Sequence, residues 1–208
     1  LAATYGRADV FPELSYTLPG PLWLSVTPRF GARGTYYSHR LAADRRSYES
    51  DPIDRSYVTA GVDLVGPSLS RVFDRPIGPY RRFKHLIEPR IEYDFVSDVD
   101  DQALIPTFDE VDSTLVLNKA RLSLANRLFA RAAEGVSAQE IASLELYQEY
   151  SFDDALNRGD GVRTSQWGYL GASLRLTPGT GLSFDARASY DTLFSNLVSH
   201  SLSLGSFR

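Results

Sequence analysis

Leu22-Trp23-Leu24-Ser25-Val26-Thr27-Pro28-Arg29-Phe30-Gly31-Ala32-Arg33-Gly34-Thr35-Tyr36-Tyr37 is the stretch that decides the fold. Read at every second position, it separates into two sets. Leu22, Leu24, Val26, Pro28, Phe30, Ala32, Gly34 and Tyr36 form one; Trp23, Ser25, Thr27, Arg29, Gly31, Arg33, Thr35 and Tyr37 form the other. A helix at 3.6 residues per turn would smear both sets around its circumference, whereas an extended strand sends them to opposite faces.

The same alternation returns along the chain. In 83–96, Phe83, His85, Ile87, Pro89, Ile91, Tyr93 and Phe95 oppose Lys84, Glu88, Arg90, Glu92 and Asp94. In 56–65, Val58, Ala60, Val62 and Leu64 oppose Thr59, Gly61 and Asp63. Further stretches lie at 116–131, 142–152, 168–177 and 182–191, with weaker ones at 8–17 and 198–207. Together they predict about nine strands. Only 132–143 admits a competing reading, a short helix capped by Ser137 with Glu140 three residues on; a connecting turn is preferred.

A soluble sandwich also alternates, with its apolar side chains turned to a core. Three features point instead to a membrane wall. Several stretches run to about 12–16 residues, where a soluble strand has about 5–6. Charges of both signs sit at mid-strand positions (Arg29, Asp63, Arg90, Glu92, Arg121, Arg175 and Asp185), which suits a hydrated lumen. Aromatic residues gather near strand ends (Tyr16, Trp23, Tyr36, Tyr37, Tyr93, Phe95, Tyr150, Phe152, Tyr169 and Tyr190), as in interfacial girdles. Short connections at 18–21, 73–82, 132–140 and 178–181 alternate with longer polar ones at 38–55, 97–113 and 153–166. The expected fold is therefore all-β: part of an antiparallel up-and-down transmembrane β-barrel, with short periplasmic turns and long extracellular loops. Residues 1–208 are read as a fragment of a single barrel domain, because the first residues carry neither an initiator Met nor a signal peptide pattern. About nine strands cut from a larger wall leave two open edges, so the fragment is not expected to close alone.

Composition narrows the chemistry. A net charge of −4 leaves no basic surplus for phosphate neutralisation, which argues against a nucleic-acid partner. There is no Cys, hence no disulfide and no thiolate metal site. No apolar run reaches the roughly 18 residues that a membrane helix needs. His39, His85 and His200 form no ligand pair and no Ser–His–Asp set, so neither a metal centre, nor a cofactor site, nor an enzyme is expected. The acidic groups Asp98/Asp100/Asp101, Asp109/Glu110/Asp112 and Asp153/Asp154 lack the Gly and closing Glu of a calcium loop and are read as solvated loop acids. Basic groups at His39, Arg40, Arg45 and Arg46, and at Arg81, Arg82 and Lys84, are read as a solvated loop and a charged turn, with contact to anionic headgroups as the functional alternative. Prolines 12, 28, 67 and 89 each remove a ladder donor within a strand pattern and predict local breaks or bulges.

The segment Phe83-Lys84-His85-Leu86-Ile87-Glu88-Pro89-Arg90-Ile91-Glu92-Tyr93-Asp94-Phe95 resembles the "LEPR-x-x-Y" strand of the LptD (OstA) family of LPS-assembly proteins. The acidic segment Ile105-Pro106-Thr107-Phe108-Asp109-Glu110-Val111-Asp112-Ser113 is similar to the family's "I-x-x-(F/Y)-D-S" loop. Leu122–Leu128 and Pro12–Pro19 resemble elements that follow and precede these, in the same order across most of 8–190. The resemblance implies central strands of an outer-membrane barrel that inserts lipopolysaccharide into the outer leaflet. It also implies an LptE-like plug lipoprotein, a periplasmic LPS bridge and outer-membrane lipids as partners. By the same resemblance, Arg29, Arg33, Arg90, Glu92, Arg121, Arg175 and Arg187 line the lumen, a hydrated wall for the saccharide and the plug. A porin or TonB-dependent receptor wall and an outer-membrane lipid-acting enzyme remain as alternatives.

Overall fold

Alternating apolar and polar residues, rich in β-branched and aromatic types, favour a pleated backbone with one greasy and one wet face. Strands form where that alternation runs. The computed structural model describes residues 5–44, 47–109, 112, 117–157, 160–179 and 181–206. The strands are β1 (Arg7–Val10), β2 (Glu13–Ser15), β3 (Ser25–Tyr37), β4 (Arg40–Leu41), β5 (Tyr48–Glu49), β6 (Ile53–Val65), β7 (Leu69–Phe73), β8 (Arg82–Val96), β9 (Leu117–Arg131), β10 (Gln139–Ser151), β11 (Leu170–Leu176), β12 (Leu182–Asp191) and β13 (Asn196–Ser206). A single 3₁₀ turn, Gln102–Leu104, interrupts the loop after β8. Among the described residues there is no α-helix, and no helix is long and apolar enough to cross a membrane.

Among the described residues, eleven strands make one sheet in the linear order β1-β3-β6-β8-β9-β10-β11-β12-β13, with β2 also on β3 and β7 also on β8; β4 and β5 form a separate ribbon. The pairings are antiparallel. The order ends at β1 and β13, so among the described residues the sheet is open and no barrel closes.

Proline explains the two interrupted strands. β1 and β2 meet β3 in one unbroken register, Arg7↔Tyr37 through Glu13↔Gly31, and the Leu18↔Val26 bridge continues it. They are one strand, broken where Pro12 has no donor, although its carbonyl still accepts the Ala32 N–H at 3.2 Å. β6 and β7 are likewise divided at Gly66-Pro67, where the Gly66 N–H donates to the Pro89 carbonyl at 2.9 Å. β7 was not expected: five residues with Arg71 at their centre carry too little alternation. The linear order holds nine positions, the number that the alternating stretches predict.

Residues 132–138 form a turn around Gly135 (φ 80°) and β10 begins at Gln139, so the helical alternative at 132–143 is not taken up. The alternation of short and long connections fails at the last hairpin. β12 and β13 are joined by a four-residue turn, 192–195, with Ser195 in the left-handed region (φ 56°), where a long loop was due.

The chain forms two compact units. The first comprises Leu1–Thr17, Thr27–Val62 and Asp94–Asn118; the second comprises Leu18–Val26, Asp63–Tyr93 and Lys119–Arg208. In the first, the apolar face is the exposed one: Phe30 is 58 % exposed and Val58 51 %, while Thr35, Tyr37 and Arg55 on the other face are at or below 3 %. In the second, Leu122, Leu124, Leu144 and Leu146 are exposed on one face, opposite a charged one. Buried polar residues are as conspicuous as buried apolar ones, the reverse of a soluble core. Tyr37, expected in an aromatic girdle, is fully buried on the polar face. It shares the parity of Arg33 and Thr35, and a loop covers it.

Candidate functional site

The second unit presents a groove of about 410 Å³ on its polar face. Register decides what lines it. Ala125 stands opposite Glu145, Arg127 opposite Ser143, Ser143 opposite Arg175, and Arg175 opposite Asp185, so the polar-face residues of β9 to β12 meet there; Glu140 and Leu144 of β10 join them. Glu88 and Arg90 of β8 complete the lining. Arg175 Nε donates to Asp185 Oδ1 at 2.8 Å. Arg90 pairs with Glu92 at 3.0 Å and Asp63 at 3.5 Å. Arg121 lies 3.7–3.8 Å from carboxylate oxygens of Glu92, Glu145 and Glu149. Its guanidinium also sits 4.0 Å from the centre of the Tyr147 ring. That ring lies flat across Gly171, its cross-strand neighbour, where a Cβ would come within 2.2 Å of it. Only glycine leaves this space.

The pairs of Arg90 and Arg121 are half exposed, so each contributes at most about 1 kcal/mol to stability. What they supply is a wetted surface bearing both signs of charge, with guanidinium groups spaced along it. Guanidinium forks suit phosphate and carboxylate, and neighbouring hydroxyls and carboxylates suit sugar hydroxyls.

The first unit holds its charges differently. Arg33 Nε and Nη2 both donate to Asp9 at 2.9 Å, and the guanidinium stacks on Phe11 at 5.0 Å. Arg29 Nη2 donates to Asp94 Oδ1 at 3.0 Å. Beyond them, Asp112 is fully buried. Its Oδ1 accepts from Arg7 Nη1 and from the Tyr37 hydroxyl, each at 2.9 Å. Its Oδ2 accepts the backbone N–H groups of Phe108 at 2.9 Å and Asp109 at 3.2 Å. Burial pushes this carboxyl up, but the hydrogen bonds from Phe108, Tyr37, Asp109 and Arg7 outweigh it and hold it below its ordinary value. Arg7 also grips Asp109 with a second fork, and Arg55 donates to the Asp112 carbonyl at 3.0 Å. Tyr5, packed on Phe108, is pushed up to about 12 by burial and then by the Asp112 charge. This cluster ties the loop after β8 to β1, β3 and β6. Asp112, read from sequence as a solvated loop acid, is a structural anion; its partner Arg7 lies more than 100 positions away, a distance no local pattern spans.

Arg90, Glu92 and Arg121 are thus joined in one network, Arg175 lines the groove, and Arg29 and Arg33 pair within the first unit. Arg187 faces Ser173 and Ser201, with no carboxylate within 4 Å among the described residues. Glu145 lines the groove, and Glu149 and Tyr147 surround Arg121 beside it; alternation puts Glu145 and Glu149 on the polar face, but the lumen-lining set read from sequence left all three out, although their parity with Ser143 could have found them. His85 stands opposite Arg71 and His200 opposite Ala188, both on the apolar face. Among the described residues no group of three His, Asp or Glu is placed to hold a metal ion. Arg45, Arg46, Glu110, Val111, Ser113 and Thr180 lie outside the described residues.

An antiparallel sheet with one charged, grooved face and one exposed apolar face defines the class: an all-β protein whose polarity is inverted relative to a soluble domain. A family model, LptD: LPS transport system D, matches residues 2–208, and the chain belongs to that family. Its role is therefore in LPS transport and assembly, within a family of outer-membrane proteins. No curated protein matches the chain.

Proposed function

We propose that this chain is a stretch of the wall of the outer-membrane barrel through which lipopolysaccharide reaches the outer leaflet. The exposed apolar face meets the bilayer, and the charged groove faces the water-filled interior. The observation that carries this reading is the inversion itself. Leu122, Leu124, Leu144 and Leu146 turn outward together, while the ion pairs of Arg90, Arg121 and Arg175 occupy the opposite face.

Strand dimensions support it. On β8 the apolar-face aromatics Phe83 and Tyr93 are ten residues apart, about 34 Å along the strand, or about 26 Å in height at a tilt of about 40°. That matches the apolar band of an outer-membrane wall. Tyr93, Tyr150, Phe152 and Trp167 form an aromatic cluster, with ring centres 4.9–5.8 Å apart in successive contacts, at the end of the long connections. The groove, with its cations and hydroxyls, suits the phosphates and sugars of LPS and the surface of a plug lipoprotein. In this role the wall guides its cargo and catalyses nothing.

The test is accessibility scanning of the protein in lipid bilayers, with nitroxides placed singly at Leu122, Leu124 and Leu146 and at Ser123, Glu145 and Ser173. The first set is expected to report dissolved oxygen and lipid, the second a water-soluble nickel reagent. A photo-crosslinker at Ser123 or Ser173 is expected to capture LPS, and one at Leu124 is not. Nickel access at both sets would overturn the reading.

A further inference from the structure

Among the described strand residues, the apolar face of the second unit carries one arginine. Arg71, at the centre of β7, stands directly opposite His85, with Leu69↔Ile87 and Phe73↔Phe83 on either side, so it points to the greasy side. Its guanidinium packs on the Phe73 ring at 5.2 Å. Among the described residues neither Arg71 nor Arg75, in the turn that follows, has a carboxylate within 4 Å; the adjacent Asp74 is engaged by Arg82. Arg71, Arg75, Phe73, Ile77, Phe83 and Leu128 line a groove of about 600 Å³ together with the Arg82-paired Asp74. Phe73 and Leu128 are shared with a second groove of about 380 Å³, which runs on past Leu144 and Leu174, with the polar residues His85, Asn126, Arg127 and Ser143 along its border. Two guanidinium groups with no carboxylate partner among the described residues therefore sit at the head of a channel formed by these two adjoining grooves.

We infer that this channel is a docking site for one glycerophospholipid with a net negative headgroup: its phosphate lies against Arg71 and Arg75, and an acyl chain follows Phe73, Leu128, Leu144 and Leu174. Charge complementarity decides the occupant. A cation on a lipid-facing surface is tolerated near the rim, where it reaches a phosphate, and Arg71 is two residues from the end of its strand. A guanidinium fork suits a phosphodiester better than a water-filled rim does. The neighbouring 73–82 connection is among the short ones, which places the site in the leaflet on the periplasmic side. This inference rests on the proposed bilayer contact of the apolar face.

The experiment is native mass spectrometry of the protein released from micelles containing equal amounts of phosphatidylglycerol and phosphatidylcholine. The wild type is expected to retain phosphatidylglycerol preferentially. The R71Q/R75Q pair is expected to lose about tenfold of that retention, and R75Q alone about threefold; R75Q changes a turn residue and keeps the strands intact. R163Q, which removes a loop cation elsewhere, is expected to retain lipid as the wild type does. Equal retention in all four proteins, or equal loss in all three variants, overturns the inference, as does retention abolished by millimolar inorganic phosphate, which would mark a headgroup site without a chain. A nitroxide at Leu124 separates the two readings. Lipid contact there with no effect of R71Q/R75Q sinks the docking site alone, and water contact there sinks the wall itself.

Discussion

Arg7 and Arg121 each face more than one carboxylate, yet they live in different chemistries. Asp112, beneath Arg7, has no exposed surface and accepts four hydrogen bonds. The carboxylates around Arg121 keep between 29 % and 45 % of their side-chain surface and stand at 3.7–3.8 Å. In the first unit charge is spent on holding a loop in place. In the second it stays half exposed, and under the proposed function it is available to cargo. The difference shows that residue type does not separate scaffold from working surface; burial and hydrogen-bond count do.

Removing the buried anion should have the largest effect. Asp112→Ala strands Arg7 and Tyr37 and frees the backbone of 108–109; a cost of about 3 kcal/mol is expected, less than for a fully buried pair because Arg7 keeps a quarter of its surface wet. Hydrogen exchange in 97–109 should rise sharply, and an unchanged rate there would dissolve the contrast between the units. Acid should do part of the same. A carboxyl held below its ordinary value of 3.8 contributes stability that is complete above that value and is lost as pH falls through its lower folded value. The loop should therefore stay protected from pH 7 to about pH 4 and open only below that; opening between pH 6 and 5 would point to another group.

Gly171→Ala is expected to cost about 1–2 kcal/mol by displacing the Tyr147 ring, seen as a lower unfolding temperature and altered near-UV circular dichroism. Arg121→Ala, last, should change stability by less than about 1 kcal/mol. If the groove serves transport, the same variant weakens LPS crosslinking at Ser123 while leaving unfolding unchanged. Should Arg121→Ala prove as destabilising as Asp112→Ala, the groove would be scaffold as well.

Strand content was legible because alternation is local: Val58, Ala60, Val62 and Leu64 reveal one face without any knowledge of their neighbours. The polar face was legible for the same reason, and Arg90, Glu92, Arg121 and Arg175 could be placed on it by parity. Partners were not legible. Arg121 finds Glu145 and Glu149 only through the β9–β10 register, which turn geometry and the Ile141 bulge help to set. Asp112 was misread because its local sequence is that of any acidic loop. β7 escaped because Gly66-Pro67 cuts it from β6 and Arg71 breaks its pattern. The four-residue turn at 192–195 is invisible to any rule of alternating loop lengths.

The directly opposed pair Arg175 and Asp185 has a consequence for how such a sheet is put together. A slip of one residue between β11 and β12 would turn every leucine of one strand to the opposite face. A slip of two preserves that parity and escapes this penalty, but it can set Arg175 against Arg187, like charge against like. Greasy spacing rejects the odd errors and charge order rejects an even one, so the hairpin carries a proofreading code within its own residues.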